Sequence, residues 1–407
     1  MCSRKAMIAA LTVASLLGSG AALAQKQYGP GVTDSEIKLG QTMPYSGALS
    51  ATSEEGRIQT AYYQMLNQAG GVNGRKIKLL SLDDGYSPPK TVEVTRRLVE
   101  EENVLAIVST VGTPTNSSIA KYLNAKKVPQ LLILSGLDKW DRDPSLPWSM
   151  NIMPSYAAET RIFVKYILDQ KPDAKIGILY QNDDVGKEEL AGLHAALGDK
   201  YDKVVVKEAG YDITDTSVDS QIVALQASGA NVFLNGALGK FPALAFRKEF
   251  EIGWKPVSFV YSSSNSLKNT MEAAGSGHAL GALTTIWMKS PTDPQWANDR
   301  ATKDYLTFMK RYVPSANPND LYSVFGYTIA QLTALMLERC GDDLTRDNLM
   351  RQATSLHAVA LPMLLPGVTL NNSPQARNPV KQFQLARYDG QSWVLFGSPI
   401  SATDAAR

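Results

Sequence analysis

From residue 37 onward, short apolar runs alternate with stretches of helical period, and this rhythm narrows the possible folds more than any other feature. Strand candidates fall at 37–41, 77–83, 105–109 and 130–134, then at 175–180, 204–208, 232–235 and 257–261. Helical patterns run between them over 57–67, 91–101, 119–125, 161–169, 188–197, 220–227 and 243–250. Strand–helix–strand repetition demands parallel sheets with right-handed crossovers and helices on both faces. The spacing restarts after about Trp148, so the expected α/β fold has two similar halves rather than one wide sheet. After Pro314 come helical runs at 322–340 and 346–353. Residues 362–381, with four prolines and no clear period, read as a long crossing loop. Strand-like tails at 382–388 and 392–396 follow, joined by an Asp389-Gly390 turn.

The first 24 residues read as an export signal. Arg4 and Lys5 make a positive start, residues 6–17 an uncharged and mostly apolar run, and Ala22-Leu23-Ala24 a small-x-small cutting site. Cleavage after Ala24 would leave Gln25 first. The apolar run falls short of the ~20 residues that span a bilayer, which argues against an uncleaved anchor. Cys2 precedes the run, unlike the cysteine of a lipoprotein anchor.

Without residues 1–24, 39 basic residues face 39 acidic ones. A chain of zero formal charge has no electrostatic reason to seek nucleic acid or an anionic membrane. Its length predicts two or three domains. Cys340 is then the one cysteine left, so no intramolecular disulfide can form and the core must hold the fold. It ends an apolar helical run, where an inert buried thiol is expected rather than a nucleophile.

Catalytic motifs are missing. His194, His278 and His357 are scattered without metal-ligand spacing. There is no G-x-S-x-G elbow and no Walker loop. Gly275-Ser276-Gly277-His278 is a poor dinucleotide loop, because the third glycine falls at Gly281 and no strand directly precedes it; it reads as a loop into a strand. Asp83-Asp84 and Asp183-Asp184 sit at strand ends before helices, where capping is the plainer role. No cofactor and no metal are expected.

What remains is a ring of small polar residues at the strand ends, where open parallel sheets bind ligands. The first half contributes Tyr45-Ser46-Gly47, Gly112-Thr113-Pro114-Thr115 and Ser135-Gly136-Leu137-Asp138. The second contributes Asn182-Asp183-Asp184-Val185, Ala237-Leu238-Gly239 and Ser262-Ser263-Ser264-Asn265. Thr113 before Pro114 reads as an N-cap followed by an N1 proline. Its hydroxyl and the helix-start N–H groups either cap the helix alone or hold an anion without any charged side chain.

Four segments then carry a resemblance. They are Gly31 to Gly40 (GVTDSEIKLG), Gly70 to Ile77 (GGVNGRKI), Asp83 to Lys90 (DDGYSPPK) and Tyr180 to Gly186 (YQNDDVG). Together they resemble the periplasmic solute-binding proteins of ABC importers, in the leucine/isoleucine/valine-binding branch, over about residues 31–397. The resemblance implies a type I periplasmic binding fold, with two Rossmann-like lobes joined by three hinge crossings. Lobe one would comprise 31–149 and 287–380, and lobe two 150–286 and 381–398. It further implies a monomer in the periplasm, a small-molecule solute, a membrane permease with its ATPase as partners, and no chemistry of the protein's own.

Carried over by position, the resemblance implies a ligand carboxylate on the Thr113 hydroxyl and on backbone N–H groups of the Ser135–Asp138 loop, Gly136 and Leu137 included. Tyr45 and Ser46, from the ring of strand-end residues rather than from the resemblance, are expected to border the site. The second-lobe acid that usually meets an ammonium falls at Ser263, and the loop hydroxyl at Asp138. The usual aromatic shelves fall at Thr52, Val185 and Leu238, which implies a wider, less aromatic pocket. A buried ammonium needs a charged partner or several acceptors. Ser263 supplies no charge, and Asp138 would stand beside the carboxylate or merely cap the helix toward Trp140. An organic or aromatic acid is therefore expected before a plain aliphatic amino acid. Two other readings stay open: a sensory receptor of the same fold, and an exported α/β enzyme, which would need a nucleophile–base pair or a metal.

Overall fold

A computed structural model describes residues 26–275 and 277–402. The export signal and the cut after Ala24 lie outside these residues, as does Ser276 of the glycine loop.

The strands sort into two main sheets. The first has five parallel strands in the order Lys76–Asp83, Glu36–Met43, Ala106–Val108, Gln130–Ile133 and Ser149–Asn151. The second has seven, in the order Trp393–Ser401, Gln382–Tyr388, Leu283–Ile286, Val257–Val260, Val232–Gly236, Ile176–Gln181 and Val205–Tyr211. Gln382–Tyr388 runs antiparallel to both of its neighbours, so this sheet is mixed rather than all parallel. The central strands are buried throughout because helices cover both faces. The result is a two-lobed α/β fold. A short parallel pair, Gln27–Tyr28 with Asp343–Leu344, ties the start of the described chain to the end of the longest helix.

Several elements escaped the periodicity. The strands Ser149–Asn151 and Leu283–Ile286 are only three and four residues long. The helix Arg300–Tyr312 starts where the Asp299 side chain accepts a hydrogen bond from the Thr302 N–H. It buries Thr302, Tyr305, Phe308 and Met309 along one stripe and turns its charges outward. The segment after Gly275 does lead into a strand, at Leu283.

The chain passes between the sheets three times: after Asn151, after Ile286 and before Gln382. Arg377 pins the last passage. Buried in the crossing loop, its Nε donates to the carbonyls of Trp140 (3.1 Å) and Ser149 (2.8 Å), and its Nη2 to that of Asp143 (2.9 Å). Asn378 Nδ2 then donates to the Met153 carbonyl in the first passage at 2.8 Å. Two crossing strands of backbone are thereby bound side by side. Among the described residues no helix is long and apolar enough to cross a membrane.

Candidate functional site

The carboxyl ends of both sheets face one cleft between the lobes. Leu49, Thr52, Glu55 and Gly112 wall it from the first sheet's side, and Tyr156, Leu238, Gly239 and Ser263 from the second's. Trp287, Tyr322 and Phe325 close its flank. It encloses about 650 Å³ of atom-free space including the mouth. The cleft is a narrow slot. A roomier groove, walled in part by Lys171, Glu249 and Arg387, lies at the amino ends of the second sheet, away from the convergent strand ends.

The lobes touch around this slot. Gly239, at φ +65°, lies so close to the first lobe that a Cβ would sit 2.8 Å from Leu49 Cδ2 and 2.9 Å from the Ala48 carbonyl oxygen. Asp320, the N-cap of Leu321–Cys340, accepts from Ser266 Oγ (3.1 Å) and Asn269 Nδ2 (2.9 Å). Five helices begin at the lining: Glu54–Gln68, Thr113–Ala125, Tyr156–Gln170, Phe241–Glu251 and Leu321–Cys340. Their N-terminal ends carry partial positive charge. Among the described residues no lysine or arginine lines the slot.

Of the residues singled out from sequence, Thr52, Gly112, Leu238, Gly239, Ser262 and Ser263 line the cleft. Thr52 spends its hydroxyl on the Leu49 carbonyl at 2.8 Å. The Leu238 N–H donates to the Tyr211 hydroxyl at 2.9 Å. Ser263 Oγ is buried without a partner.

The others lie elsewhere. Thr113 and Ser135 are buried behind the wall, their hydroxyls 2.7 Å apart, and Ser135 Oγ also accepts from Trp140 Nε1 at 3.2 Å. In place of Thr113, Gly112 reaches the slot. Leu137 packs with Trp140 in a satellite core. Gly136 faces the first crossing, where a Cβ would sit 2.3 Å from the Pro154 carbonyl oxygen. Val185 is fully buried in the core, its N–H donating to Asp183 Oδ1 at 2.8 Å; Asp183 does cap its helix. Tyr45 shares a hydrogen bond with Ser81 at 2.7 Å, and exposed Ser46 donates to Asp83 Oδ2 at 2.8 Å. Asp138 occupies an N-cap position, but its side chain makes no capping hydrogen bond.

The expectation of a wide, weakly aromatic pocket is overturned. Rings come from Tyr156, Trp287, Tyr322 and Phe325 instead of the aligned positions, with Trp287 and Phe325 edge-to-face at 5.6 Å. Phe325 belongs to a helix whose period reads as core, and Trp287 follows a four-residue strand whose end the pattern does not mark.

Two acids also went unrecognised. Glu159 lies behind the Ser262–Ser264 turn. Its Oε1 accepts from the Ser262 N–H at 3.0 Å and from the Thr285 hydroxyl, and its Oε2 from Ser262 Oγ at 3.0 Å. Burial pushes its carboxyl up to about 7 against those hydrogen bonds. The second lobe thus holds an acid near the cleft, spent on bracing the turn that presents Ser263. Glu55 lies on the cleft wall itself, three residues after Thr52. Gly326 lets the two long helices approach there, since a Cβ would sit 2.9 Å from Glu55 Cα.

Residues 36–392 match a family model described as periplasmic binding protein. A relative from Brucella abortus, Leu/Ile/Val-binding protein homolog 7, is 24% identical over 273 residues, which cover 62% of this chain. The chain spans 65% of that relative's length. A fatty acid ABC transporter substrate-binding protein from Thermomonospora curvata superposes with a TM-score of 0.79 at 22% identity, covering 94% of this chain and 96% of that one. A branched chain amino acid ABC transporter structure from Thermus thermophilus with bound valine gives 0.80 at 13% identity, covering 91% and 97%. At these identities the two structures speak for the fold alone.

Proposed function

This chain belongs to the periplasmic binding protein family, and on that premise we propose that it captures a small organic solute for an ABC importer. The exported protein, cut after Ala24, would close its lobes on the solute in the periplasm and deliver it to the membrane permease and its ATPase. Lobe one would comprise 31–149 and 287–380, and lobe two 150–286 and 381–398.

One observation carries this reading: the slot has walls from both lobes. A solute touching both walls binds the closed form better than the open one, and so draws the population shut.

The solute class we favour is a small carboxylic acid with an apolar or aromatic body, ahead of a plain aliphatic amino acid. Five helix starts favour negative charge at the lining. The rings and aliphatic side chains suit an apolar body. The fatty acid protein among the structural neighbours is consistent with such a solute.

Native mass spectrometry of gently purified protein tests for a retained solute. A thermal-shift panel tests the class, because a ligand at 100-fold its Kd adds about 2.7 kcal/mol of stability. Benzoate-, hydroxycinnamate- or fatty-acid-like compounds are expected to raise the Tm. A strong response to leucine or valine with none to the acids refutes the class. Steady turnover of any substrate refutes the capture role.

A further inference from the structure

Glu55 is only 4% exposed, and its Oε2 has no hydrogen-bond partner. Among the described residues no ion pair includes it, although buried carboxyls normally find a donor or a cation. It lines the slot, so a solute is the partner it can reach. We propose that the protonated Glu55 carboxyl donates a hydrogen bond to the carboxylate of a small organic monoacid, making Glu55 the residue that sets the solute class. This rests on the cleft being the solute site.

The charges around Glu55 decide between an acid and an amine. Asp320 faces it from the opposing helix, where Tyr322 also lies, and Glu54 precedes it on its own. The nearby cations are taken up: Arg57 bonds Ser53 and Glu54, and Lys268 of the second lobe interacts with Asp320. Burial, and then the Asp320 charge, hold the Glu55 carboxyl well above the ordinary range. A neutral carboxyl is a hydrogen-bond donor. An amine would find a paired charge only if Glu55 ionised beside Asp320, and it would itself meet the positive ends of the helices. An acid needs neither.

Titration calorimetry from pH 6 to 9 tests the proposal on the wild type, Glu55→Gln and Glu55→Leu. The probes are benzoate, 4-hydroxycinnamate, octanoate, benzylamine and L-valine. For the tightest acid, wild-type affinity should stay level while Glu55 is protonated, then fall tenfold per pH unit once it ionises. Glu55→Gln should bind within about threefold of the low-pH wild type and show no such fall, because its amide always donates. Glu55→Leu should bind about tenfold more weakly than the low-pH wild type, with no change across the pH range, while keeping its Tm. Loss of binding in Glu55→Gln, tighter binding of benzylamine than of benzoate, or equal binding by all three proteins overturns the role of Glu55. If no acid binds the wild type, the proposed solute class itself fails.

Discussion

The backbone N–H of Asp138, in the first lobe, meets Oε1 of Glu188, in the second, at 3.4 Å. The contact crosses the cleft rim and brings two carboxyl side chains together. Lys139 reaches Asp184 across the same rim at 4.0 Å.

This contact makes the closed form sensitive to pH. Burial, then the Asp138 charge, push the Glu188 carboxyl up to about 7, against the attraction of Arg161 and Lys139. The folded protein therefore holds a proton that the unfolded chain releases near the ordinary glutamate value of about 4.3. Stability from this proton is full below that value and is lost as pH rises to 7. Glu159, at about 7, and Glu249, at about 8, act with the same sign. The Tm is expected to fall between pH 5 and 8, and Glu188→Gln to flatten the curve in part. A Tm that rises over this interval contradicts the assignment.

Gly239 sets how far the lobes can close. Gly239→Val puts a branched side chain at φ +65° and against Leu49 and Ala48. Each lobe should keep its secondary structure, while solute affinity falls at least tenfold. Small-angle scattering checks this directly: the solute-induced compaction of the wild type should be missing in the variant.

Two adjacent serines should separate stability from binding. Ser263→Ala removes a hydroxyl with no partner in the fold, so stability should change by less than about 0.5 kcal/mol. Solute affinity should drop up to about tenfold. Ser262→Ala breaks a buried bond to Glu159 and should destabilise by about 1–3 kcal/mol. Denaturant titration beside calorimetry distinguishes the two, and a reversed pattern would show that Ser263 does not face the solute.

Cys340 is buried, and desolvation pushes its thiol up to about 12. An aromatic disulfide reagent at pH 8 should label it only when denaturant opens the core. Rapid labelling of the native protein would place the thiol at the surface.

Much of the architecture is legible along the chain because it rests on short-range patterns. Val232–Gly236 is an unbroken buried run, and such runs make parallel strands wherever helices cover them. The bounds of the strand Leu283–Ile286, expected only as a strand after the glycine loop, and the helix Arg300–Tyr312 were not legible. One is four residues long, and the other hides its apolar stripe among five charged positions.

The cleft was less legible. Thr113 and Ser135 sit at strand ends as a ligand site requires, but each satisfies the other behind the wall. Glu55 carries no motif, and only the approach permitted by Gly326 brings it to the slot.

By itself the sequence determined the α/β rhythm, the two halves and the family, since periodicity and turn chemistry act within a few residues. Tertiary structure decided which of the candidate side chains line the cleft and which are buried behind it. That choice depends on which hydroxyls find partners inside the lobes and which atoms, such as Glu55 Oε2 and Ser263 Oγ, are left without one when segments hundreds of residues apart pack together.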